Sequence, residues 1–157
     1  MQLRRATLED AATLARLNRW VHDLHVGAEP AVYVQSDAGQ VEAWARERLA
    51  APGVRAVVAE LDGVTVGYVV TQDVRRAGTP FAAPRAFLLV DELAVALAAR
   101  RRGVGRALMD AAHALARELG LPRVELDVRS WNAAALGFYR ALGYAPAHLH
   151  LGRAAGP

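Results

Sequence analysis

The segment Arg100-Arg-Arg-Gly103-Val-Gly105-Arg106 constrains this chain more than any other stretch of it. It lies between an apolar run, Ala86–Val95, and a helical stripe of Val104, Leu108, Ala112, Leu115 and Leu119. A strand that ends, two glycines separated by one residue and a helix that opens at once define a tight turn. Glycine permits positive φ and lets the backbone approach a ligand closely. The first N–H groups of the helix have no intrahelical partner and carry the positive end of its dipole, so such a turn receives anions. Arg100, Arg101, Arg102 and Arg106 add charge at the same point.

Composition narrows the choice of anion. All 19 basic side chains are arginine, and cysteine is absent. Without lysine there is no Walker phosphate loop and no Schiff-base chemistry. Without cysteine there is no thiolate nucleophile, disulfide framework or cysteine zinc site. A dinucleotide fingerprint would place a third glycine where this chain has Leu108. A pyrophosphate held by backbone amides and arginine remains, beside the plainer alternative of a solvated basic turn capping a helix. The net charge of +3 is modest. Outside residues 100–106 the arginines are scattered, so nucleic acid is not expected as a partner.

At 157 residues and 54% hydrophobic, the chain is expected to form a single domain, 1–157, with its own core. Its most apolar stretch, Phe87–Ala99, is interrupted by Asp91 and Glu92, and its start is polar. Neither a membrane span nor a signal peptide is expected, and a cytoplasmic location is.

The pattern along the chain predicts a strand at Gln2–Arg5 and a helix start capped by Thr7 and Asp10. The stripe Leu14, Leu17, Val21, Leu24 follows, ended by Gly27 and Pro30. A second helix begins at Ser36 or Asp37, buries Val41, Trp44, Ala45 and Leu49, and stops at Pro52-Gly53. Asp62-Gly63 between two β-rich runs, Arg55–Leu61 and Val64–Val70, predicts a hairpin. After the glycine turn and its helix, closed by Gly120 and Pro122, Arg123–Arg129 alternates as a strand. A short helix Asn132–Leu142 ends at Gly143, a last strand covers Tyr144–Leu151, and Arg153–Pro157 reads as a frayed tail. The expected class is mixed α/β, with a largely antiparallel twisted sheet of six to seven strands flanked by about four helices.

Arg100-x-x-Gly103-x-Gly105 after Leu93-Ala94-Val95 resembles the acyl-CoA signature of the GNAT superfamily of N-acetyltransferases. Asn132-Ala-Ala-Ala135-Leu-Gly-Phe138-Tyr139-Arg-Ala-Leu-Gly143-Tyr144 is similar to that family's C-terminal half-motif. The resemblance implies a GNAT-like fold, with residues 1–52 on the acceptor side and 86–144 forming the acetyl-CoA-binding core. It implies acetyl-CoA as cosubstrate, cradled at its pyrophosphate by the amides of Arg101, Arg102, Gly103, Val104, Gly105 and Arg106, with Arg100 beside them. Backbone groups of Leu93 and Val95 would pair with the pantetheine arm, the Val95 amide serving as an oxyanion donor. Asn132 and Ala135 would reach the same arm, and Tyr139 would protonate the departing thiolate. The stretch Asp127–Tyr144 is most similar to enzymes that acetylate the N-terminal alanine of a ribosomal protein. The stretch Ala96–Ala99 is purely apolar where many members of that family carry a proline or an acid, and the acceptor-side region His22–Ser36 matches no subgroup.

Direct attack by an amine is the mechanism left to a chain without cysteine, and the amine must first lose a proton. Asp91, Glu92 and Asp127 are the candidate acceptors, or acids that only attract a cationic substrate. Adjacent strand residues face opposite ways, so at most one of Asp91 and Glu92 should enter the cleft, with Asp91 on the side of Leu89 and Leu93. His22 and His25 are alternative proton acceptors, and no metal site is expected. Trp131 is the tryptophan placed to line a site. The readings to be weighed are an N-acetyltransferase acting on a small-molecule amine or protein N-terminus, a non-catalytic acyl-CoA-binding domain, and a nucleic-acid binder. A terminal strand at a sheet edge makes a homodimer plausible.

Overall fold

Asp62 and Gly63 both have positive φ, 51° and 78°, as a two-residue hairpin requires. They join β2 (Val54–Leu61) to β3 (Val64–Arg76) in the computed structural model, which describes residues 1–153. β1 (Gln2–Arg5) pairs antiparallel with β2, and β4 (Arg85–Val95) antiparallel with β3. β5 (Val124–Leu126) adds parallel to β4, giving the order β1-β2-β3-β4-β5.

The described residues form five strands, fewer than the six to seven expected. Arg123–Arg129 shortens to three paired residues, because pairing with β4 ends at Val90↔Leu126, immediately before β4 bulges. Tyr144–Leu151 forms no strand. Pro146 supplies no N–H, and Leu149 and Leu151 are 79% and 87% exposed, so the alternation there has no apolar surface to bury. The tail expected at 153–157 lies, past Arg153, outside the described residues.

Successive strand residues face opposite sides of the sheet. On one side Ala56, Val58, Tyr68, Val70 and Ala94 form a core with Ala11, Leu14 and Leu17 of α1 (Ala11–Ala28) and Ala45 of α2 (Ala38–Ala50). The first turns of the α1 stripe are buried as the spacing predicts, but Leu24 is exposed; on α2, Trp44 is exposed too. Asp37 caps α2, accepting from the Gln40 amide at 2.9 Å while the Gln40 side chain takes the Asp37 N–H.

α3 (Val104–Glu118) packs against β2, β3 and β4 through Val104, Leu108, Met109, Ala112 and Ala116. A Cβ on Gly67 would stand 3.0 Å from the Ala94 carbonyl and 3.1 Å from Cγ1 of Val104, so a bare backbone lets α3 close on the sheet.

The chain divides into two compact units, Met1–Asp127 and the residues from Val128 onward. The second holds α4 (Ala133–Ala141), capped by the Asn132 side chain and ended by Gly143 at φ 88°. The mixed α/β class, the antiparallel majority and the four α-helices agree with the sequence pattern.

Candidate active site

Beyond Val90, no strand among the described residues pairs with β4 on the side away from β3. The register shows which backbone groups face that edge. Ala96 donates to the Val66 carbonyl at 2.7 Å, so in the alternating antiparallel ladder Val95↔Gly67 and Leu93↔Val69 are the non-hydrogen-bonded pairs. The N–H and C=O of Leu93 and Val95 therefore point outward, available to an added strand.

β4 then leads through a short 3-10 turn, Leu97–Ala99, into the basic glycine turn. Arg101 and Gly103 both adopt the left-handed conformation, φ 60° and 81°, and no side chain caps the first turn of α3. A Cβ on Gly103 would meet nothing within 4 Å, so glycine is required there for its φ rather than for space. Buried Val104 anchors the start of the helix, while Arg101, Arg102 and Arg106 are exposed around it. Uncapped N–H groups, a dipole end and three exposed guanidinium groups suit a pyrophosphate. Arg100 is placed differently: its guanidinium stacks 3.7 Å from the ring centroid of Trp20 on α1.

The acids depart from simple alternation. Val70 pairs with Glu92 while the next residue, Thr71, pairs with Val90, which makes Asp91 the extra residue of a β-bulge. The bulge turns both acids toward the α1–α2 layer, correcting the expectation that only one would face it. Asp91 is ion-paired with Arg48 of α2. Glu92 is half-buried, and its Oε2 accepts from the Tyr68 hydroxyl at 2.7 Å and from Nδ2 of Asn18 at 2.9 Å. The Asn18 amide also donates to the Tyr68 hydroxyl oxygen at 3.0 Å. Burial pushes the Glu92 carboxyl above the usual carboxylate range and Asp91 adds to that, while the bonds from Tyr68 and Asn18 and the Arg48 charge pull it down. Tyr68 has no exposure, and burial, reinforced by Glu92, holds its hydroxyl protonated well above the ordinary phenol value. The three side chains border a crevice between α1 and α2 lined also by Leu14, Trp44 and Arg48.

Neither Asn18, Tyr68 nor Arg48 stands out in the sequence as a site residue. Asn18 left one signal, a polar residue beside Leu14, Leu17 and Val21 on the inward stripe of α1. Tyr68 is indistinguishable from its strand neighbours without the fold. Asp127 is exposed, one residue past β5. His22 places Nε2 2.8 Å from the Val34 carbonyl, and His25 places Nδ1 2.8 Å from that of Val21, so each ring holds a proton on that nitrogen. Among the described residues no group of three or more His, Asp or Glu could hold a metal, and no helix is long and apolar enough to cross a membrane.

In the second unit, Asn132 Oδ1 accepts from the Ala135 N–H at 3.1 Å, so these two candidates form the cap of α4. Tyr139 packs edge-on to Phe138 and Tyr144, with centroids 5.0 and 5.8 Å away. Burial, with a smaller contribution from Tyr144, pushes the Tyr139 hydroxyl up to about 12. Trp131, next to Asn132, is 37% exposed.

An open β4 edge thus runs directly into an anion-receiving turn. The chain belongs to the acetyltransferase (GNAT) family, whose model matches residues 16–144. Its fold is similar to that of a tetramutant of the BH1408 protein from Bacillus halodurans, with a TM-score of 0.92 and 23% identity over 98% of this chain and 99% of that one. It is also similar to the aminoglycoside N-acetyltransferase AAC(6')-Iy in complex with CoA, with a TM-score of 0.75 and 17% identity over 99% and 95% of the two chains. The ribosomal-protein-alanine N-acetyltransferase from Brucella melitensis biovar Abortus 2308 matches with a TM-score of 0.68 and 20% identity, covering 97% of each chain. At these identities the likeness is one of fold. No curated protein matches the chain.

Proposed function

We propose that this protein is a single-domain, acetyl-CoA-dependent N-acetyltransferase that moves an acetyl group directly to a primary amine, on a small molecule or a protein N-terminus. The observation that carries this reading is the outward-facing backbone of Leu93 and Val95 on the open edge of β4, running into the uncapped turn at Gly103. Acetyl-CoA supplies the acetyl group as an activated thioester.

The amides from Arg101 to Arg106, with the exposed Arg102 and Arg106 side chains, hold the pyrophosphate. Leu93 and Val95 align the pantetheine arm, and the Val95 N–H serves as the oxyanion donor. Glu92 is the group best suited to take the proton from the acceptor ammonium. Its carboxyl is raised toward the working pH, which improves its match to an amine, whereas Asp91 is engaged by Arg48 and Asp127 is exposed. Asn132 and Ala135 orient the start of α4, and Tyr139 donates a hydrogen bond to the departing thiolate. The structural relatives include an aminoglycoside N-acetyltransferase and a ribosomal-protein-alanine N-acetyltransferase, which supports an amine as acceptor.

Mass spectrometry of the purified protein, followed by thiol-release assays on acetyl-CoA with a panel of amines, tests the reading. Bound CoA and amine-dependent thiol release are the expected results. CoA binding with no thiol release from any amine would instead identify a non-catalytic acyl-CoA-binding domain. DNA binding that CoA does not displace would count against the pyrophosphate site.

A further inference from the structure

We infer that Tyr68 and Asn18 are positioning residues for proton transfer: they hold Oε2 of Glu92 between them and leave Oε1 as the atom that receives the acceptor's proton. The inference rests on the acetyltransferase reading above and deepens it. Both donors end on the same oxygen, at 2.7 and 2.9 Å, and they are linked to each other at 3.0 Å. Oε1 has no partner among the described residues, and Glu92 borders the α1–α2 crevice.

A carboxylate that rotated freely would present either oxygen in many orientations. Two donors from two different elements, β3 and α1, fix the carboxylate plane. Tyr68 is fully enclosed in the core, so its hydroxyl cannot swing away to solvent. Asn18 uses one amide nitrogen to reach both Tyr68 and Glu92, locking phenol and carboxylate into one triangle.

In the step itself, the N–H bond of the acceptor ammonium breaks and an O–H bond forms at Oε1. The electron pair stays on nitrogen as the nucleophile. The groups facing Glu92 are Tyr68 from β3, Asn18 from α1, Arg48 from α2 and Asp91 from β4 itself. Only Tyr68, Asn18 and Arg48 favour the ionised carboxylate that the step consumes. The first two do so by hydrogen bonds and also set its direction.

The test combines a direct titration with kinetics. In protein labelled with 13C-glutamate, the Glu92 carboxyl resonance is assigned by its loss in Glu92→Gln and titrated in wild type, Tyr68→Phe and Asn18→Ala. Each variant should raise the Glu92 midpoint by about one pH unit, as expected for removing one hydrogen bond to a charged acceptor. Thiol release from acetyl-CoA is then followed with an aminoglycoside and an alanine-initiated peptide as acceptor probes. kcat near pH 7 should fall roughly tenfold in each variant, with CoA affinity held within twofold.

A Glu92 midpoint unmoved in both variants overturns the inference while leaving the acetyltransferase reading intact. So does a loss of kcat matched by an equal loss of CoA affinity. Unchanged turnover in Glu92→Gln removes Glu92 from the chemistry and takes the inference with it. Asn18→Ala carries the test by itself if Tyr68→Phe disturbs folding, because Asn18 is only half-buried.

Discussion

The guanidinium carbon of Arg100 lies over the Trp20 ring, 3.7 Å from its centroid, tying the start of the basic turn to α1. A contact of this kind contributes about 0.5–2 kcal/mol. Arg102 and Arg106 stand beside the first turn of α3 without such a ring contact. Arg102→Ala and Arg106→Ala should each weaken CoA binding about tenfold by calorimetry, the loss of one charge-assisted bond to phosphate. Arg100→Ala should lower the melting temperature and change CoA affinity less than threefold. A reversed order of effects would return Arg100 to the phosphate site.

Tyr139→Phe should lower kcat by about ten- to a thousandfold while leaving CoA affinity nearly unchanged. A phenol pushed up to about 12 stays protonated throughout the working range, so it adds no limb to the pH–rate profile below that value. Full transfer of its proton to a thiolate near pKa ~8.5 would be uphill by about 5 kcal/mol. Hydrogen-bond donation to the thiolate is the role that fits. A wild-type basic limb near pH 9 that disappears in Tyr139→Phe would contradict it.

Glu92→Gln should separate activity from stability. Turnover should fall by roughly two to four orders of magnitude, the range for losing a proton acceptor. The folded-state pKa of Glu92 is raised, so the wild type loses stability as pH climbs from the unfolded value near ~4.3 through the raised folded one. Glu92→Gln should match wild type below that window and be at least as stable above it, by urea unfolding at several pH values. Asp91→Asn, which breaks a partly exposed pair with Arg48, should change stability by about 1 kcal/mol or less and turnover less than threefold.

Gly67→Ala should destabilise the fold by about 1–3 kcal/mol, because the added methyl group meets the Ala94 carbonyl and Val104. Val104 is the first residue of α3, so the strain is delivered to the basic glycine turn. CoA affinity should fall with stability in this variant, measured by unfolding and CoA titration together. Gly63→Ala, in the distant hairpin, should lower stability alone.

Much of the architecture was legible because local chemistry set it. Asp62-Gly63 demanded its turn, the four-residue spacing from Val104 demanded its helix, and Gly103 demanded positive φ. The glycine turn and its arginines lay in one continuous segment and could be read from it. Glu92 was legible as a candidate acid, but its partners Asn18 and Tyr68 were not, because α1, β3 and β4 meet only in the fold. Alternation also misjudged Asp91 and Glu92, since a bulge depends on the partner strand and leaves no mark on its own residues. The strand expected at Tyr144–Leu151 failed for the converse reason: its alternation was present, but nothing buried its leucines.

The bulge at Asp91 gives β4 two phases. Before it, Leu88 and Val90 send their backbone groups toward β5; after it, Leu93 and Val95 send theirs to the open edge. Asp91 is the one residue that belongs to neither phase, so deleting its codon would leave Val90↔Thr71 and Glu92↔Val70 as successive pairs of a regular ladder. Leu93 and Val95 would still send their backbone groups to the open edge, and Glu92 would stay opposite Val70. What the deletion removes is the ion pair with Arg48. β4 should consequently accept the loss of this one residue more readily than the gain of another, which would need a second bulge.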